Sequence, residues 1–316
     1  MNTTFVLGAG FSVDAGLPLM RDLRGRVLRF IEFDRHSSYA THLRPIYEYP
    51  QGQFYAGLDE LDPSRELHFE ELFSQLRRIN GDPNYVGPAY VTEWVLRVGC
   101  ARMFWCLHRL NPFPESDYRN FASWLGHAGG RTTIVSFNWD VVIETALTEA
   151  GISWSYSLSR PAVIPVLKPH GSINWNGYLR KSYRNDSGLW YPLELGSGLS
   201  YMAATPLKNP DQQVINPDLA YAIFPGDPDL PEQDEDLRRT WRDVKAALAA
   251  SEKVVFIGYS LPDYDCFAGE FFREHTARKE IEVYNASDGD LQKYKRLSAA
   301  ALGLHQAGFG SCPYAR

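Results

Sequence analysis

Five times along this chain a short apolar run ends in a cluster of glycine and small polar residues, and in none of the five does the cluster come first. Phe5-Val6-Leu7 runs into Gly8-Ala9-Gly10-Phe11-Ser12, and Thr132-Thr133-Ile134-Val135 into Ser136-Phe137-Asn138-Trp139-Asp140. The stretch 163–167 leads to Lys168-Pro169-His170-Gly171-Ser172, and Val254-Val255-Phe256-Ile257 to Gly258-Tyr259-Ser260-Leu261-Pro262-Asp263-Tyr264-Asp265. Ile281-Glu282-Val283-Tyr284 leads to Asn285-Ala286-Ser287. Short apolar runs of this kind, fully apolar at 254–257, read as buried strands of a parallel sheet covered by helices. In one parallel sheet all five clusters converge on the edge made by the carboxyl ends of the strands, where open α/β sheets hold their ligands.

Helical stripes fill the intervals. Leu23, Val27, Phe30 and Ile31 mark a helix from about 18 to 33, and helices are expected from Asp140 to Ala150 and from Glu235 to Ala250. Between Phe33 and Thr132 there is no strand pattern. Phe69, Leu72, Phe73, Leu76 and Ile79 form one stripe, Trp94, Val95, Val98, Ala101, Trp105 and Leu107 a second, and Phe121, Trp124 and Leu125 a third. The sequence therefore predicts an α/β fold: a Rossmann-like parallel sheet flanked by helices, built from 1–33 and 131–316, with a helical insertion subdomain at 34–130. Core packing between helices accounts for the aromatic residues of that insertion. Residues 173–232, dense in Trp, Tyr, Pro, Gly and Asn, read as short strands and loops. The run at 281–284 is expected to be the last strand, followed by a helix from about Asp288.

Composition removes several classes. With 32 Lys+Arg against 38 Asp+Glu the formal charge is −6, which argues against a basic nucleic-acid binder. No apolar run reaches the ~18–20 residues of a membrane span, and Met-Asn-Thr-Thr-Phe has no signal-peptide character, so a cytoplasmic protein is expected. The four cysteines, Cys100, Cys106, Cys266 and Cys312, form no Cys-x-x-Cys; free thiols in a reducing compartment, with no metal site, is the expected reading.

Each cluster admits a structural and a chemical reading. Gly8 and Gly10 suit close approach of backbone N–H groups to a pyrophosphate, or simply a tight strand–helix turn. They depart from the dehydrogenase fingerprint, because Val13 stands at the third glycine position. Asn138 and Asp140 face the expected crevice, or form an Asx turn in which Asp140 caps the next helix. His170, beside Gly171 at a strand end, is a candidate acid or base, or a satisfied histidine without a chemical role.

Taken in order, Gly8-Ala9-Gly10-Phe11-Ser12, Gly16-Leu17-Pro18 with Arg21, Asn138-x-Asp140, His170-Gly171-Ser172 and Gly258-Tyr259-Ser260-Leu261 resemble the signature of the sirtuin-like fold. The Gly-Ala-Gly-Phe-Ser start, the His-Gly-Ser-Ile-Asn-Trp stretch and the Gly-Tyr-Ser-Leu-Pro-x-x-Asp ending are most similar to the bacterial sirtuin-like NAD hydrolases of antiphage defence. The resemblance covers both ends of the chain, and few residues between Asp22 and Thr132 or between Asn176 and Lys253.

That resemblance implies NAD+ as a substrate lying across the sheet edge. Gly8, Ala9, Gly10, Phe11 and Ser12 would cradle the pyrophosphate, and Arg21 would lie near the phosphates or the nicotinamide. Gly258, Ser260 and Asn285 would reach the adenosine end, and Asn138, Asp140 and His170 would surround the nicotinamide ribose as catalytic residues. Deacylase sirtuins carry zinc-binding cysteine pairs between the His-Gly and Gly-x-Ser motifs. This chain has no cysteine between His170 and Gly258, so no zinc is expected and peptide deacylation is disfavoured. The expected activity is an NAD+ glycohydrolase releasing nicotinamide and ADP-ribose, with water activated by either Asn138 or His170. The alternatives are a protein ADP-ribosyltransferase or deacylase, or a non-catalytic NAD or ADP-ribose sensor. The resemblance also implies control by homo-oligomerisation or by a separate defence partner such as an oligomeric ATPase.

Overall fold

A computed structural model describes residues 2–34, 57–59, 67, 69–80, 89–110, 115–128, 132–160, 163–184, 190–201, 220–222, 235–297 and 299–315. Most of the aperiodic stretch 34–65 and much of 173–232 lie outside these residues. The central sheet contains β1 (Thr3–Leu7), β2 (Thr132–Ser136), β3 (Trp154–Ser155), β4 (Ile164–Leu167), β8 (Lys253–Ile257), β9 (Glu280–Asn285) and β10 (Ala301–Gln306). Its spatial order is β10-β9-β8-β1-β2-β4-β3, and every neighbouring pair is parallel.

β1 lies at the centre because all five of its residues are buried, and a strand covered on both faces must alternate between two cores. Phe5 and Leu7 enter one hydrophobic cluster with α1 (Met20–Asp34), α2 (Phe69–Asn80), α3 (Ala89–Leu110), α4 (Glu115–Ala128) and α5 (Val142–Glu149). Val6 enters the other with α6 (Glu235–Ala250), α7 (Cys266–His275) and α8 (Asp288–Lys293). Burial of each large apolar side chain here contributes about 1.5–3 kcal/mol. The chain leaves β1 toward β2 and returns on its other side as β8. The topological switch point therefore falls between β1 and β8, with the Gly8 and Gly258 turns at its mouth.

The helices of 69–128 share their core with the sheet: Phe121 and Trp124 of α4 each meet Phe5 of β1 edge-on with ring centroids 5.4 Å apart. Beside the main sheet, β5 (Gly171–Arg184), β6 (Trp190–Tyr201) and β7 (Ala220–Ala222) form a three-stranded antiparallel sheet in the order β6-β5-β7. β5 and β6 have 14 and 12 residues, longer than the short strands expected there. The run at 281–284 is not the last strand, because β10 adds a parallel edge beyond it. Its residues are half-buried or exposed, so Ala-Leu-Gly-Leu-His-Gln shows no apolar run. Among the described residues no helix is long and apolar enough to cross a membrane.

Candidate functional site

The two glycine turns are pressed against each other. Gly258 adopts φ +62°, and a Cβ there would overlap the main-chain nitrogen of Phe11; a Cβ on Gly10 would come 2.8 Å from Cα of Gly258. The contact is closed by hydrogen bonds from Gly8 N–H to the carbonyl of Ile257 (3.1 Å) and from Gly10 N–H to that of Gly258 (2.9 Å). Phe11 and Ser12 donate to the carbonyls of Gly8 and Ala9. Four of the five N–H groups from Gly8 to Ser12 are thus committed inside the protein, and among the described residues Ala9 N–H has no partner. The Phe11 ring points away from the turn into the core, 4.5 Å from the ring of Phe309 and 5.2 Å from that of Tyr118. The Tyr118 hydroxyl donates to the Phe11 carbonyl at 2.6 Å.

Beyond β2, Asn138 spends both amide protons on the first turn. Its Nδ2 donates to the carbonyl of Gly8 (2.9 Å) and to Oγ of Ser12 (3.0 Å). With both donors used, the orientation of the amide is fixed and Oδ1 is the end left over. Ser12 in turn lowers the pKa of the Asp140 carboxyl. Asp140 also accepts from Val142 N–H at 3.0 Å, so the Asx turn is formed and α5 begins at Val142. Burial pushes the Asp140 carboxyl above its usual range, while Lys168, Val142 N–H and Ser12 pull it back.

Beneath Asp140 lies a polar network to which the sequence reading gave no role. Lys168, fully buried, donates to the Asp140 carbonyl and pairs at 3.1 Å with Glu144 Oε1, also fully buried. The Tyr156 hydroxyl donates to the same Oε1 at 3.1 Å and accepts from Asn174 Nδ2 at 2.9 Å. A buried pair of this kind is costly to break from one side, about 3–5 kcal/mol, so Lys168 holds the Asp140 backbone to α5. The signal was a lysine at the end of an apolar strand and a glutamate on the buried stripe of the next helix.

His108 of α3 closes the network, its Nε2 accepting from Val141 N–H at 3.3 Å. Burial and, more weakly, Lys168 pull its imidazole down to about 4, against an opposing pull from Glu144. The unfolded chain takes up this proton near 6.5, so between the two values the unfolded state holds more protons. The contribution to stability is whole above about pH 6.5 and falls toward pH 4, by up to about 3 kcal/mol. Urea melts at pH 7 and pH 4.5 are expected to show that loss in the wild type and a smaller one in His108→Gln, which keeps an acceptor without the titration. Equal losses in the two proteins would refute this assignment.

His170 follows β4 and reaches Asp265, which stands in the segment after β8. Nε2 of His170 lies 3.2 Å from Oδ2 of Asp265. Phe137 lies between the two segments, 4.7 Å edge-on to the His170 ring and stacked 4.5 Å from that of Tyr259. In the sequence Asp265 closes the Gly258–Asp265 cluster, with no local signal to set it apart from Asp263. Asn138, Asp140 and His170 are all buried at the carboxyl ends of β2 and β4, and of the three Asn138 bonds the Gly8–Ser12 turn directly.

The remaining candidates are less drawn in. Ser260 is half-buried beside Gly258. Asn285 ties the loops after β8 and β9 together, donating from Nδ2 to the carbonyl of Tyr259 (3.2 Å) and accepting at Oδ1 from Ser287 N–H (2.9 Å). Arg21 stands on the first turn of α1, 75% exposed, with Nε 3.8 Å from Asp22; the structure does not bring it against the cluster. Among the described residues no group of three or more His, Cys, Asp or Glu is arranged to hold a metal ion.

No family model and no curated protein sequence matches the chain. Several solved structures resemble it in layout. A structure described as giving the basis for the mechanism and regulation of Sir2 enzymes is 14% identical with a TM-score of 0.42, the match covering 98% of this chain and 88% of that one. Sir2Tm bound to a propionylated peptide is 12% identical with a TM-score of 0.39, covering 98% and 88%. A complex of Sir2 with p53 peptide and NAD+ is 12% identical with a TM-score of 0.37, over the same shares.

Proposed function

We propose that this chain hydrolyses NAD+ at the bond between nicotinamide and ribose, giving nicotinamide and ADP-ribose. The reading is supported by one observation: at the carboxyl ends of β2 and β4, two acceptor groups have no partner among the described residues. They are Oδ1 of Asn138, whose amide protons are both spent, and the ring nitrogen of His170 that does not face Asp265.

The chemistry asks little more. The C1′–N1 bond breaks and its electron pair returns to the nicotinamide ring, which leaves neutral, so no general acid is needed. The water oxygen bonds to C1′, and its proton passes to His170 or to solvent. Asn138 Oδ1 orients that water and His170 takes its proton; positioned bases contribute about 10²–10⁴-fold. The Asp140 carboxylate stabilises the positive charge that develops on the ribose. Ala9 N–H, the donor of its turn not committed to the protein, would meet the pyrophosphate, with Ser260 and Asn285 on the adenosine side. An enzyme that depletes NAD+ needs restraint, so the proposal includes control by self-assembly or by a separate partner, as suits an effector of antiphage defence.

The test is incubation of the purified protein with NAD+, alone and with proteins encoded beside it, followed by chromatography. Nicotinamide and ADP-ribose are expected from the wild type, with at least 10²-fold less from Asn138→Ala and His170→Ala. Intact NAD+ under every condition would refute the proposal, and release that requires an added acyl-peptide or acceptor protein would make the chain a deacylase or transferase. A His170→Ala variant that keeps a full NAD+ response would make it a sensor.

A further inference from the structure

Asp265 does three things at once, and their geometry is restrictive. It is buried, with 3% of its surface exposed, and it is the N-cap of α7, where Oδ1 accepts from Ala268 N–H at 3.2 Å. Its Oδ2 accepts from the Tyr259 hydroxyl at 3.2 Å and faces Nε2 of His170 at the same distance. The segment that carries it is held in place: Leu261 takes φ +47°, a conformation a branched side chain keeps only when its surroundings enforce it. Main-chain Asp265 N–H also bonds the carbonyl of Pro262.

A carboxylate accepts and does not donate, so the proton of the neutral imidazole must sit on Nε2. Nδ1 is then the acceptor, and among the described residues it makes no other bond. We infer that Asp265 is a positioning residue, fixing His170 in the Nε2–H tautomer and presenting Nδ1 to the reacting water. The inference rests on the NAD+ hydrolase reading for its catalytic consequence and not for the tautomer itself.

The cap makes the test sharp. In Asp265→Asn the amide oxygen must stay on Ala268 N–H to preserve α7, which puts the NH₂ group where Oδ2 was. That group can only donate, so it takes the Nε2 lone pair and drives the proton to Nδ1. ¹⁵N-NMR of the imidazole is expected to show Nε2–H in the wild type and Nδ1–H in Asp265→Asn, with kcat for nicotinamide release at least 10²-fold lower and KM within about threefold. Comparable tautomer locking in catalytic triads is worth up to about 10⁴-fold. Asp263→Asn removes the same charge two residues away, from an exposed side chain paired with Arg296, and is expected to leave tautomer and rate unchanged.

A wild-type His170 protonated on Nδ1, or one tautomer in both proteins, overturns the inference even if activity falls, because the role of Asp265 is then only structural. A flipped tautomer with an unchanged kcat overturns it as well. A wild type that shows Nε2–H and cleaves no NAD+ leaves the tautomer assignment standing and defeats the hydrolase reading. If Asp265→Asn does not fold, Asp265→Ser caps α7 through its hydroxyl and offers Nε2 no partner. A mixture of tautomers with the same loss of kcat is expected there, and a single unchanged tautomer overturns the inference.

Discussion

Gly258→Ala is expected to lower nicotinamide release by more than 10²-fold and to destabilise the fold by more than about 2 kcal/mol, while Gly151→Ala leaves the rate unchanged and costs about 1–2 kcal/mol. Both glycines have positive φ, +62° and +72°, so both substitutions carry the penalty of a left-handed L-residue, roughly 1–2 kcal/mol. They differ in space. Nothing lies within 4 Å of a Cβ built on Gly151, whereas one on Gly258 runs into the backbone of Gly10 and Phe11. Backbone cannot rotate out of the way as a side chain can, so the two turns must part. Asn138, bonded to the Gly8 carbonyl and to Ser12, moves with them, and a displacement of about 1 Å at a reacting group costs on the order of 10²-fold. Thermal melts and NAD+ assays on the pair decide it; equal losses in the two variants would show that backbone overlap is not what matters at Gly258.

Phe309→Ala is expected to remove about 3–5 kcal/mol, the usual cost of deleting a buried aromatic ring, and to raise KM for NAD+ in whatever fraction remains folded. Phe309 is 2% exposed and touches three rings: Phe11 at 4.5 Å, Tyr118 at 4.8 Å and Phe121 at 5.7 Å. Two of these hold the first glycine turn from behind, Phe11 as part of it and Tyr118 through its bond to the Phe11 carbonyl. The same segment is pinned again where Tyr314 packs against Phe5 and Trp124 at 5.1 and 4.9 Å. Phe309→Leu keeps most of the volume and is expected to cost less than half as much. Urea unfolding measures both, and a Phe309→Ala midpoint equal to that of the wild type would show that segment 307–315 does not brace the turn.

The strands were legible wherever they were buried on both faces. Phe5-Val6-Leu7, Val254-Val255-Phe256-Ile257 and Ile134-Val135 are continuous apolar runs because each side chain meets a core whichever way it points. β10 and β3 were not legible: the first is a partly exposed edge and the second has two residues. The lengths of β5 and β6 were hidden as well, since an antiparallel pair needs no continuous apolar run.

The site divides in a similar way. Asn138, Asp140 and His170 could be singled out because each follows an apolar run, and position along a parallel strand decides at which edge of the sheet a residue emerges. Their partners could not. Ser12 is 126 residues from Asn138, Lys168 is 24 from Glu144 and Asp265 is 95 from His170, and local pattern carries no information about contacts at that range.

By itself the sequence determined a parallel sheet, its carboxyl edge and the polar residues gathered there, because a short apolar run and the φ freedom of glycine are local properties. Only the tertiary structure decided how those residues are used. The stacking of the Gly8 and Gly258 turns commits the N–H groups of Gly8 and Gly10, and the Asn138 amide is turned so that its oxygen is left over. Asp265, from the segment after β8, is brought 3.2 Å from Nε2 of His170. Each of these depends on which donor meets which acceptor, and that is settled when the β1 and β8 halves of the sheet close against each other.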